Sequence, residues 1–392
     1  MDEGALFLLE IGLILLFANI GGYISKKLEQ PAVLGQILIG LIIGPSVLNL
    51  VSATDFINHM AEIGVILLMF IAGLETDLDD LKASGQSSAI IAIGGVIFPF
   101  IFGMGVVYLL KANSTFQEQL FVGVILTATS VSITVQALRE LNRLRTKQGM
   151  AILGAAIIDD VVGIILLAVV VSAINPAEGT SILFVILKII AFFVIALILG
   201  IVFSKTITKY SDIMRRDGRL LTSALIFCFF LAFIAEEMGV AAIIGAYITG
   251  VIFSTTPHRN RVSHEIQNIA YALFTPIFFV NIGLKVQLHG IGNSILLSVG
   301  IILAAIFGKV IGCLIGARVS KFNLKESFQI SIGMIPRAEV ALIVTSLGLK
   351  LKVIGHDIFT SIILLVLVST IITPILLKIV YKNDTVENDK LA

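Results

Sequence analysis

Thirteen apolar runs, near 4–23, 32–50, 58–74, 88–110, 117–138, 148–173, 181–204, 220–236, 239–254, 269–284, 294–317, 328–349 and 357–380, follow one another with only short polar breaks between them. About 20 apolar residues are enough to cross the hydrocarbon core of a bilayer as a helix. No water is present there to satisfy backbone N–H and C=O groups, so runs of this length have to close their hydrogen bonds within helices. The expected fold class is therefore an all-α polytopic membrane protein with about 13 transmembrane helices. Composition agrees, since 57% of the 392 residues are hydrophobic, mean hydropathy is +1.05, and only 27 basic and 26 acidic side chains are present. Little is left for a soluble domain. A net charge of +1 with no long basic run gives no reason to expect nucleic acid as a partner. Cys228 and Cys313 lie in separate apolar runs, without metal-ligand spacing or a disulfide framework. The opening Met1, Asp2, Glu3 has no basic n-region and no small-residue cleavage pattern follows it, so the first helix is expected to be retained.

Orientation follows from the basic residues in alternate connections. Twenty fall on one side, among them Lys26, Lys27, Arg139, Arg143, Arg318 and Lys325, against Lys111, Lys285, Lys350 and Lys352 on the other. Basic loops stay in the cytoplasm, which puts the N-terminus outside and the C-terminus inside. One internal offset, 210 residues, matches several landmarks: Gly35 and Gly40 fall on Gly245 and Gly250, and Gly73-Leu74 on Gly283-Leu284. Seven spans separate equivalent helices, an odd number, so the chain is expected to hold two inverted-topology repeats. Such repeats are a property of secondary transporters, whose substrate site lies near the midplane between the copies.

A few residues are out of place in lipid. Asp159 and Asp160 stand side by side in the middle of an apolar run, where each costs about 2.5–3.5 kcal/mol on the insertion scale and must face a cavity or a partner. Helix neighbours point about 100° apart, so one can look into water while the other meets an adjacent helix. Lys309 is a lone cation deep in the eleventh run, with no acid on its own helix, and Asp159 or Asp160 is the economical partner. An ammonium buried beside a carboxylate can be poised to release a proton, so Asp160, Asp159 and Lys309 are the candidate ion-binding and proton-carrying residues, although a static ion pair would use the same residues. The run Thr127, Thr129, Ser130, Ser132, Thr134 suits an unwound stretch, although hydroxyls also serve as ordinary helix-packing groups. In Gly333-Met-Ile-Pro336-Arg337-Ala-Glu339 the proline removes a donor and two opposite charges follow, so a second break is expected, roughly equivalent to the first. Arg337 and Glu339 are expected to neutralise each other or helix ends more than to carry ions. Lys188 is within snorkelling reach of the surface. The five histidines lie in loops or at span ends without metal-ligand spacing, and no P-loop pattern is present.

These residues resemble the cation:proton antiporter-2 group of bacterial sodium or potassium/proton antiporters over nearly the whole chain. The likeness rests on QPAVLGQILIGLIIGPSVL at 30–48, EIGVILLMFIAGLETDL at 62–78, TATSVSITVQALREL at 127–141, GAAIIDDVVGIILL at 154–167, the lysine of GKVIG at 308–312, and PRAEVALI at 336–343. The resemblance implies a homodimer in the bacterial cytoplasmic membrane, a dimerisation domain beside a mobile core, two crossing broken helices and an elevator-like motion. It also implies that Asp160 holds the cation and that Asp159 partners Lys309. Thr129, Ser130 and Glu339 become cavity or broken-helix residues. On this reading 1–87 and 220–293 hold the dimerisation helices of the two repeats, and 88–173 and 294–380 the core helices. Residues 174–219 form a linker helix and cytoplasmic loop, and 381–392 a short tail too small for a nucleotide-binding regulatory domain.

The expected activity is exchange of a monovalent cation, sodium and possible alternatives potassium or lithium, for protons, with no cofactor and no covalent chemistry. An intramembrane aspartyl protease also needs two carboxylates, but its pair must meet around one water, and neighbours on one helix splay apart and meet that need badly. A channel, or a transporter-like sensor without coupled exchange, is the remaining alternative.

Overall fold

In a computed structural model, which describes residues 3–28, 30–174, 182–209, 219–286 and 295–382, the described residues form helices joined by short connections, and no strand occurs among them. The helices are α1 (Glu3–Lys27), α2 (Ala32–Ile43), α3 (Asp55–Glu75), α4 (Leu78–Leu110), α5 (Phe116–Thr127), α6 (Val131–Glu140), α7 (Lys147–Ile174) and α8 (Ile182–Lys209). They continue with α9 (Arg219–Glu237), α10 (Ala242–Ser254), α11 (Arg259–Ile269), a π turn (Ala270–Phe274), α12 (Thr275–Leu284), α13 (Ile295–Val319), α14 (Leu324–Gly333), α15 (Glu339–Lys350) and α16 (His356–Tyr381). Ten helical stretches among the described residues are long and apolar enough to cross a membrane, and three shorter apolar helices accompany them.

Several run boundaries are corrected. The run at 32–50 is helical only to Ile43, because Pro45 cannot extend the ladder and disfavours a helical residue before it. The segment before 269 is not a loop: α11 is a polar helix that buries Val262 and Ile266 on one side and exposes Arg261 and His264 on the other. Its junction with α12 is a π turn in which Thr275 N–H donates to Ala270 O. The wider turn accommodates Pro276, whose ring would otherwise press on the carbonyl four residues back. The loop at 210–218, the connection at 287–294 and the tail from 383 lie outside the described residues.

Contacts group the chain into two compact units, one of residues 1–54, 84–179 and 279–392, the other of 55–83 and 180–278. In the second unit α3 and α10 meet backbone to backbone, since a Cβ on Gly73 would collide with Tyr247 O and one on Gly250 with Phe70 O. In the first unit α2 and α12 meet in the same way, Gly283 against Ile37 O and Gly40 against Val280 O. Each residue of one contact differs by 210 from its counterpart in the other: 40 and 250, 70 and 280, 73 and 283, 37 and 247. Glycines let helices approach this closely in lipid, where packing replaces the hydrophobic effect as the driving force.

Polar groups tie helix ends of the first unit. Lys111, after α4, reaches Glu118 in the first turn of α5 and Asp357 in the first turn of α16, each at 2.7 Å. The N-terminus of α2 follows Pro31, which offers no side-chain cap, and Glu140 at the end of α6 accepts from Ala32 N–H at 2.5 Å instead. Asn323 and Glu326 close a reciprocal capping box on α14.

Candidate functional site

Two apolar runs break near their middles. Between α5 and α6, Ala128 (φ −52°, ψ 136°) and Ser130 (φ −103°, ψ 105°) leave the helical region. Between α14 and α15 the break follows Gly333 and contains Pro336. The breaks cross: Ser130 N–H donates to Pro336 O at 2.7 Å, and the Thr134 hydroxyl donates to Gly333 O at 2.6 Å. Ending a helix inside an apolar bundle strands its last carbonyls, which carry the negative end of the helix dipole.

Two fully buried cations take up those carbonyls. Arg337 donates through Nη1 to Met334 O, Ile335 O and Pro336 O at 3.2, 2.6 and 3.4 Å, and through Nη2 to Leu126 O at 2.9 Å. It therefore serves the C-terminal ends of α14 and α5 together. Its own N–H is accepted by Ser369 Oγ of α16 at 3.1 Å. Lys309, on α13, donates to Thr127 O at 3.1 Å and to Gly95 O of α4 at 2.8 Å.

Negative charge comes from Asp159, which is 2% exposed on α7. Its Oδ1 accepts from Lys309 Nζ at 2.8 Å, and its Oδ2 accepts from the Thr129 hydroxyl at 2.7 Å. An ammonium has three donors, and Gly95 O, Thr127 O and Asp159 Oδ1 fill them. Arg337 also lies within electrostatic reach of Asp159. A buried pair of this kind costs in desolvation about what its attraction returns, so it is a poor device for stability alone.

Asp159, Thr129 and Lys309 are thus brought together, and Arg337 binds Leu126 O, one residue before the Thr127 carbonyl that Lys309 uses. Asp160, one residue on and about 100° round the helix, is only partly buried, so the two carboxylates meet different surroundings. Ser130 and Ser132 share a hydrogen bond at 3.1 Å, and the Thr127 hydroxyl bonds back to Val124 O at 2.7 Å. Of the five hydroxyls only Thr129 reaches the carboxylate. Glu339 opens α15, and its side chain lies outside the described residues. The acceptors Gly95 O, Thr127 O and Leu126 O escape a reading of side chains, because every residue type carries the same carbonyl. Lys188 reaches Glu237 O at 3.3 Å and lies 5.2 Å from the Phe184 ring centre, outside this site.

Known proteins share both sequence and shape with this chain. It is 44% identical over 376 residues to "Probable Na(+)/H(+) antiporter GerT" of Bacillus cereus, covering 95% of this chain and 99% of that one. It is 40% identical to "Na(+)/H(+)-K(+) antiporter GerN" of the same organism, with 95% of each covered. The "Na(+)/H(+) antiporter" of Enterococcus hirae is 34% identical, with 93% and 96% covered. The fold matches a solved structure of the sodium proton antiporter MjNhaP1 from Methanocaldococcus jannaschii with a TM-score of 0.77 at 17% identity, over 100% of both chains. The family profile described as "Sodium/hydrogen exchanger, transmembrane" matches residues 12–383. This multi-pass membrane chain therefore belongs to the transmembrane sodium/hydrogen exchanger family.

Proposed function

We propose that the protein is a secondary antiporter, not an enzyme, exchanging a monovalent cation, sodium or alternatively potassium or lithium, for protons across a bacterial cytoplasmic membrane. The observation that carries this reading is the Lys309–Asp159–Thr129 cluster buried at two crossing helix breaks, with a second, partly exposed carboxylate one residue away. Asp160 takes the cation when deprotonated, and protonation expels it. Competition for one carboxylate makes the process exchange instead of co-transport. Asp159 and Lys309 complete the ion-binding and proton-carrying set beside it, and Arg337 with the Thr129–Ser130 segment holds the broken backbone that would complete the coordination. The relatives' printed names support sodium first, and the potassium in one of them keeps that ion as a candidate.

Alternating access follows as an elevator-like movement of core helices (88–173 and 294–380) against dimerisation helices (1–87 and 220–293) in a homodimer. The recurrence of the glycine contacts at an offset of 210 supports two inverted copies. The basic loops support an outside N-terminus and a cytoplasmic C-terminus. An empty site with bare charges crosses poorly because desolvation is expensive, so the carrier moves when loaded.

The test is exchange in proteoliposomes with each cation at clamped membrane potential, using wild type and Asp160→Asn. Cation-driven proton flux by wild type and none by folded Asp160→Asn is the expected outcome. A passive, proton-independent current would establish a channel, and wild-type exchange by the variant would remove Asp160 from its role.

A further inference from the structure

Lys309 draws one of its three acceptors from α4 in a way that depends on two residues outside the carboxylate cluster. Pro99 lies inside α4 and has no N–H, so the carbonyl four residues earlier, that of Gly95, is denied its usual helical donor. In a bilayer a carbonyl freed in this way has to be satisfied by a neighbour. Here the neighbour is the site's own ammonium, with Lys309 Nζ 2.8 Å from Gly95 O.

Glycines make the approach feasible. A Cβ on Gly94 would collide with Gly312 O, and one on Gly312 with Gly94 O, so α4 and α13 cross backbone to backbone beside the site. One turn away, a Cβ on Gly308 would lie 2.9 Å from Pro99 Cα. Gly95 faces the space that Lys309 and Cys313 fill: an added Cβ would lie 2.8 Å from Cys313 Sγ, 3.3 Å from Lys309 Nζ and 3.4 Å from Lys309 Cε. Lys309 and Cys313 are both fully buried.

We propose that Gly95 and Pro99 are positioning residues for Lys309: the proline frees a carbonyl for the ammonium, and the missing side chain at 95 leaves it room beside Asp159. The inference rests on the reading of Lys309 and Asp159 as part of the transport site. A methyl group at 95 cannot coexist with Sγ at 2.8 Å. The Gly94–Gly312 crossing fixes the backbones, so relief comes from displacing the thiol and the ammonium. An N–H restored at position 99 competes with Lys309 for the same carbonyl.

The test is sodium-driven proton flux in proteoliposomes holding the full-length wild type, Gly95→Ala, Cys313→Ala, the Gly95→Ala/Cys313→Ala double variant and Pro99→Ala, with melting temperatures of the same preparations. Gly95→Ala is expected to turn over about tenfold more slowly, a shift of a few tenths of an ångström where about 1 Å costs roughly a hundredfold. Cys313→Ala changes turnover by no more than about twofold, and the double variant returns to within about threefold of wild type because the tightest contact is gone. Pro99→Ala keeps or raises the melting temperature, as a helix gains a donor, yet slows exchange, a split that a purely structural role does not produce. Wild-type turnover in Gly95→Ala, no rescue in the double variant, or undiminished exchange in Pro99→Ala overturns the inference. Should Gly95→Ala fail to fold, the double variant decides, since recovery of folding and exchange supports the inference and their absence overturns it. Absence of exchange in wild type overturns the functional reading and this inference with it, whereas exchange in wild type with an indifferent Gly95→Ala overturns this inference alone.

Discussion

Asp159→Asn keeps the shape of the side chain and removes the one charged acceptor among the three that hold Lys309. Lys309 Nζ lies 2.8 Å from Oδ1, a separation at which two unit charges attract by about 6 kcal/mol at an effective dielectric of about 20. In the intact pair that attraction mostly offsets the desolvation of both groups. Removing one partner leaves the other buried and uncompensated, which costs about 3–5 kcal/mol. Gly95 O and Thr127 O remain with the ammonium, and Asn can still accept from Thr129, so the loss is expected near the lower end, about 3 kcal/mol. Lys309→Gln alone strands Asp159 in the same way and costs a similar amount. The double variant Asp159→Asn/Lys309→Gln leaves neither charge unpaired and is expected to recover about 3 kcal/mol of the summed loss. Unfolding of all four proteins in one detergent, by heat and by denaturant, closes the cycle. An Asp159→Asn protein as stable as wild type, or a double variant showing the full sum of the single losses, would falsify the coupling.

Lys111 supplies a pH test outside the spans. Burial works against its charge, but hydrogen bonds and attraction from Asp357 and Glu118 outweigh that and raise its pKa above the ordinary 10.5. A raised folded pKa contributes stability that is complete below 10.5 and is lost as pH climbs through the folded value. Lys111→Gln should therefore melt lower than wild type at neutral pH and converge with it in strong alkali, and a constant gap across that range would count against the ion pairs. Glu140→Ala should cost about 1 kcal/mol by uncapping α2, with Glu140→Gln losing less because an acceptor oxygen remains; equal losses would remove the capping role. Competition at Asp160 predicts that apparent cation affinity weakens as pH falls, by up to about tenfold per unit for one displaced proton. Apparent affinity unchanged across the active range would exclude direct competition.

Much of the architecture is legible along the chain because lipid leaves local sequence few alternatives. A long apolar run closes its hydrogen bonds within itself, so helical class follows from composition without knowledge of neighbours. The breaks announce themselves through hydroxyl density at Thr127–Thr134 and through Pro336, and the misplaced charges of Asp159, Asp160, Lys309 and Arg337 mark where polar surroundings are needed. Amphipathic α11 is less legible, since its buried face is only Val262 and Ile266 among charged neighbours that read as a loop.

Pairing is where tertiary structure takes over. Asp159 and Asp160 are chemically identical, and which of them turns inward depends on the rotational setting of α7 against a lysine 150 residues away. That setting is fixed by packing across helices, which no local pattern encodes. The carbonyls of Gly95, Thr127 and Leu126 gain their roles only because two helices end, or meet a proline, where a buried cation can reach them. Every residue has a carbonyl, so its use as a ligand is decided by the fold and not by the amino acid that carries it.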